Sequence, residues 1–95
     1  MTLAEFKRSL SGTEPPSSNS ALAALWWAAK DDWNRAHALV MDEGGAGCAW
    51  VHAYLHRVEG DLENARYWYG RAGKKMPSEP LQTEWDSIAG ALAAS

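Results

Sequence analysis

Ala49 to Gly73 reads AWVHAYLHRVEGDLENARYWYGRAG, and its spacing is that of two helices folded back on each other. Its apolar residues recur at intervals of three and four, the signature of one helix face, and no segment of the chain alternates with the period of two that a strand needs. Gly60 ends the first run, and Asp61 caps a second that carries Leu62, Ala65, Trp68, Tyr69 and Ala72 on one side. This predicts a helix from about Ala46 to Val58, a tight turn, and a second helix that Met76 and Pro77 close. The chain is expected to be all-α.

Working outward, "DEGGAG" separates this pair from an earlier one. A helix is expected from about Ser18 to Lys30, then a second capped by Asp32 with Trp33, Ala36, His37 and Val40 as its stripe. Before these lies "SGTEPPSSNS", whose prolines forbid helix continuity. Thr2 and Glu5 form a capping box that opens a short helix through about Leu10, expected to be an arm. After the second pair, Leu81, Trp85, Ile88, Ala89 and Leu92 share one face, with Ser78 as N-cap and Pro80 in the first turn. The predicted organisation is a single domain: arm 1–12, linker 13–19, hairpin 20–44, hairpin 46–76, and a closing helix 78–94 stacked on the second hairpin.

The two pairs align at an offset of 29 residues, matching Ala24 to Ala53, Trp27 to His56, Asp32 to Asp61, Trp33 to Leu62 and Ala36 to Ala65. Ala53, Gly60, Ala65, Tyr69, Ala72 and Pro77 stand where tetratricopeptide repeats place small residues, a turn glycine, an aromatic and a closing proline. The second hairpin resembles such a repeat over about 30 residues, and "EGDLENARYWYGRAG" looks like the second helix of related bacterial solenoid repeats. The first hairpin matches only at Ala24, Trp27 and Ala36, with Asp31 in place of the turn glycine. His52 and His56 depart from the pattern, standing where a packing leucine and a tyrosine are usual. The whole chain also resembles a group of short bacterial proteins sharing AWVHAYLHR.EGD..NA.YWY.RAG, a likeness that implies no activity.

Bulk properties bound the function. Ninety-five residues with 46% hydrophobic and 22% charged side chains suit a globular domain. A net charge of −3 gives no basic surface for nucleic acid. One cysteine, Cys48, excludes an intrachain disulfide and a four-cysteine zinc site. The charges of "MTLAEFKRSL" argue against a signal peptide, and no run reaches the ~18 apolar residues of a membrane span. A cytoplasmic protein is the expectation. Six tryptophans offer bulk to fill a small core, with an aromatic-lined groove as the alternative.

Two faces of the helix at 46–58 carry candidate chemistry. Trp50, Tyr54 and Arg57 fall within about 60° of one another on a helical wheel. The resemblance to tetratricopeptide repeats implies that this side lines a concave peptide-binding surface, with Arg57 holding an acidic group of a protein or peptide segment. A chain with so few repeats is also expected to be able to pair with itself. The alternative packs both aromatics inside and leaves Arg57 solvated.

His52, His56 and Glu59 mark the other side, the two imidazoles one turn apart as in zinc sites. His37 is the candidate third ligand, because its stripe faces the junction between the hairpins. The wheel makes this sector the most polar of the helix and implies exposure, whereas the repeat alignment makes both histidines packing residues that need hydrogen-bond partners. Zinc or another divalent metal is thus a cofactor candidate beside the expectation of none, and the alternative function is a metal-binding protein or small-molecule enzyme using His37, His52 and His56. No phosphate loop, nucleophile elbow or H-E-x-x-H occurs, so no residue is singled out as catalytic.

Overall fold

The computed structural model describes residues 1–94. They form six α-helices: α1 Leu3–Arg8, α2 Ser20–Ala29, α3 Trp33–Val40, α4 Ala46–Val58, α5 Leu62–Ala72 and α6 Leu81–Ala93. A 3-10 turn over Ser9–Ser11 extends α1. Helices α2 and α3 pack as one hairpin and α4 and α5 as another. Among the described residues no helix is long and apolar enough to cross a membrane.

The same local chemistry makes both hairpin turns. At the end of α4, Gly60 N–H donates to the Arg57 carbonyl and Asp61 N–H to that of His56, with Gly60 at φ 85. At the end of α2, Asp31 N–H donates to Ala28 and Asp32 N–H to Trp27, with Asp31 at φ 60. This crossed pair of bonds satisfies carbonyls that a helix end leaves open, and it requires a left-handed residue. Each turn then starts its next helix in the same way. The Asp32 carboxylate accepts from Arg35 N–H at 3.1 Å, and that of Asp61 from Asn64 N–H at 3.2 Å.

Helix α4 is the axis of the molecule, in contact with α2, α3, α5 and α6. Every residue from Val51 to His56 is buried, so of the polar sector on the helical wheel only Glu59, at the end of the helix, faces solvent. The main core joins Phe6, Leu25, Trp26, Val51, Leu55, Trp85 and Ile88. A smaller cluster of Ala53, Ala65 and Tyr69 lies between α4 and α5. Small residues at Ala53 and Ala65, both fully buried, let the two helices approach closely.

Several expectations are corrected. The amino-terminal helix is no free arm: Phe6 is fully buried and stacks on Trp85 at 5.7 Å, because the linker folds back to let α1 pack on α6. Helix α2 is capped by Asn19, whose side chain accepts from Leu22 N–H, so it starts later than Ser18. Ser78 is not the cap of α6; Pro80, extended at ψ 151, holds that place. Nor does α6 merely close the end of the second hairpin. It spans α1, α2 and α4, and Trp85 Nε1 donates to the Leu25 carbonyl of α2 at 2.9 Å. Leu62 and Leu81, expected on buried stripes, are exposed at the helix starts. Of the six tryptophans only Trp26 and Trp85 are buried, and the other four are half-buried.

Candidate metal centre

Helices α3 and α4 bring the three histidines together. One ring nitrogen from each of His37, His52 and His56 lies within 4.8 Å of the other two. The Nε2 atoms of His37 and His52 are 3.1 Å apart. Two neutral imidazoles at that distance share one proton in a hydrogen bond, one ring donating and the other accepting. A tetrahedral zinc with bonds of about 2.0–2.1 Å sets its nitrogens about 3.3 Å apart, close to the His37–His52 span, while the three ring nitrogens together lie within 4.8 Å.

Each ring is held from behind. His37 lies flat on Trp33, with centroids 4.6 Å and planes 12° apart. Trp33 is itself fixed by donating Nε1–H to the Leu55 carbonyl at 2.7 Å. His52 stacks on Trp68 of α5 at 4.0 Å. His56 Nδ1 meets Glu59 Oε1 at 2.6 Å, which leaves Nε2 as the nitrogen free to ligate. A carboxylate behind an imidazole is the usual device that orients a metal ligand and raises its basicity.

The electrostatics hold two of the rings neutral. Burial, and then the neighbouring His37 and His56, push the His52 pKa down to about 4. His37 is lowered as well, by burial first and by His56 second. At neutral pH both rings therefore keep the lone pairs a metal needs. His52 Nδ1 is the one buried side-chain nitrogen or oxygen without a hydrogen-bond partner among the described residues. It is not the ring nitrogen that faces His37, so a metal held by Nε2 would leave it unpaired.

The other face of α4 is arranged differently. Tyr54 is buried, and Trp50 is half-buried with the Lys74 ammonium 4.2 Å from its ring centre. Arg57 Nη1 donates to Glu84 Oε1 at 2.8 Å, and Nη2 donates to the Glu79 carbonyl. The Tyr69 hydroxyl donates to the second oxygen of Glu84. Trp50, Tyr54 and Arg57 thus do not form an open stripe, and an acidic peptide would have to displace Glu84 from Arg57. Burial, followed by the Glu84 charge, raises the Tyr54 pKa to about 12. Cys48, half-buried at the start of α4, has its thiol pKa raised by burial and by Glu43, so it is a poor nucleophile.

Sequence reasoning missed the two tryptophan supports and the buried Glu84, whereas Glu59, on the same face as His56, was readable as a histidine partner. The Trp33–His37 contact was legible as a one-turn spacing, whereas Trp68 against His52 is a contact between helices that no spacing shows. Comparison with protein-family models, with curated proteins and with solved structures gives no match.

Proposed function

We propose that this protein binds a zinc-class divalent metal through His37, His52 and His56, with Glu59 orienting His56. The carrying observation is the convergence of three ring nitrogens within 4.8 Å on two helices of different hairpins. Imidazole ligation suits zinc, copper, nickel and iron, and a three-histidine set leaves the fourth tetrahedral position to a water or an anionic ligand. The metal also ties α3 to α4 and so joins the two hairpins.

Zinc titration calorimetry on protein prepared without a polyhistidine tag and stripped with a chelator tests this. One zinc per chain is expected, with His37→Gln and His56→Gln each weakening binding by at least about tenfold. His37 is half-buried, so its variant keeps the fold, which circular dichroism checks. No binding heat in the wild type, or equal binding in the variants, overturns the proposal.

The tetratricopeptide-like reading of the hairpins is likewise a proposal, supported by the matched turns at Asp31 and Gly60 and by the buried alanines between α4 and α5. Recognition of a protein or peptide segment by Trp50, Tyr54 and Arg57 is the weaker reading, because Arg57 already holds Glu84.

A further inference from the structure

A cavity of about 720 Å³ opens between α1, α2, α4 and α6, away from the three histidine rings and with Trp33 as its shared wall. Trp33, half-buried, is the most open aromatic residue of its lining, and Tyr54 and Trp85 join it with only 6% and 3% of their surface exposed. Both indole N–H groups are already spent on backbone carbonyls, Trp33 on Leu55 and Trp85 on Leu25, so the indoles offer a ligand only their apolar surfaces.

The polar rim is asymmetric. Lys7 is paired with Asp86 at 3.0 Å, and the Gln82 amide donates to the same carboxylate oxygen at 3.0 Å. Lys30 is turned to the Leu10 and Gly12 carbonyls, at 2.6 and 3.2 Å. That leaves Asp31, which lines the cavity, is exposed, and makes no ion pair among the described residues.

Asp31 also holds its place at a cost. It sits at φ 60, the only non-glycine residue with positive φ among those described, while the equivalent turn of the other hairpin uses Gly60. A left-handed non-glycine residue costs about 1–2 kcal/mol, although aspartate is among the more tolerant. Glycine would make this turn without strain, and what aspartate adds is a carboxylate on a residue that lines the cavity. Strain kept at one position of a repeated turn is a pointer to function.

We infer that this cavity binds a small organic amine, its hydrocarbon body lying on Trp33, Tyr54 and Trp85 and its ammonium facing Asp31. An aromatic lining with one unpaired carboxylate matches a hydrophobic cation in both shape and charge. The site is independent of metal.

Phenethylammonium and its neutral counterpart 2-phenylethanol test it, titrated by NMR into wild-type protein and Asp31→Asn with a chelator present throughout. Asparagine keeps the size and the tolerance for positive φ and removes only the charge. The wild type is expected to bind the amine about tenfold more tightly than the alcohol, and Asp31→Asn to abolish that preference. Shifts should fall on resonances of Trp33, Tyr54 and Trp85. No binding of phenethylammonium, equal affinity for the two probes, or a preference that survives in Asp31→Asn overturns the inference. Because the chelator removes metal, none of these outcomes bears on the histidine centre.

Discussion

His56 Nδ1 and Glu59 Oε1 are 2.6 Å apart, one turn of helix joining a buried imidazole to a half-open carboxylate. The pair sits at the end of α4, so Glu59 can hold the ring without entering the cluster itself. Glu59→Gln keeps a hydrogen-bond acceptor but loses the charge. Zinc affinity is expected to fall about 10-fold or more while the melting temperature of the metal-free protein changes little. Competition with a chromogenic chelator measures the first and circular dichroism the second, and an unchanged affinity would remove Glu59 from the account.

The metal-free protein should lose stability as pH falls. His52 has a folded pKa of about 4 against 6.5 for the ordinary group. Between these values the unfolded chain takes up a proton that the folded one refuses, so stability is fully present above pH 6.5 and drains away towards pH 4. From pH 6.5 to 5 the loss from His52 alone is about 1–2 kcal/mol, and His37, lowered for the same reason, adds to it. Urea midpoints in chelator at the two pH values read this out. His52→Leu should flatten the dependence, and an equal slope in that variant would contradict the assignment.

Arg57 and Glu84 form the buried ion pair of the fold, with side chains 13% and 3% exposed. Removing only the cation strands a carboxylate inside the protein. Arg57→Leu is expected to cost about 3–5 kcal/mol in urea denaturation, and Arg57→Leu with Glu84→Leu to recover part of it, the buried Tyr69 hydroxyl losing its acceptor. Equal losses in the single and double variants would show that the pair is not what matters there.

Phe6 carries the amino-terminal helix. It is fully buried and stacked on Trp85, and close by Trp26 Nε1 donates to the Ser9 hydroxyl at 3.1 Å. Phe6→Ala should therefore cost about 3–5 kcal/mol, as deletion of a core aromatic does, and should raise the accessibility of Trp85 to a fluorescence quencher. A loss below about 1 kcal/mol would mean that α1 is the detachable arm its linker suggests.

Much of this architecture was legible in the sequence because the signals are local. Asp32 and Asp61 cap their helices, Gly60 closes a turn, and the three-and-four spacing sets the bounds of α4 and the start of α5, although α5 stops at Ala72 with a left-handed Gly73, short of the expected stop at Met76 and Pro77. What escaped depends on contacts between distant segments. Phe6 finds Trp85, and Glu84 finds Arg57 and Tyr69, across separations that no periodicity encodes. The histidine side of α4 shows both sides of this. Its H-x-x-x-H spacing was readable and His37 could be suspected from its stripe, but only the packing of α3 on α4 sets two Nε2 atoms 3.1 Å apart. The polar wheel sector misled because neighbours on every side bury this helix.

X-ray absorption at the zinc edge of protein loaded with one equivalent of zinc tests the central claim most directly. Three imidazole ligands and one light oxygen ligand at about 2.0–2.1 Å, with the outer-shell scattering of three rings, are the expected result. A first shell with fewer than three imidazoles, or one containing the Cys48 sulfur at about 2.3 Å, would contradict it.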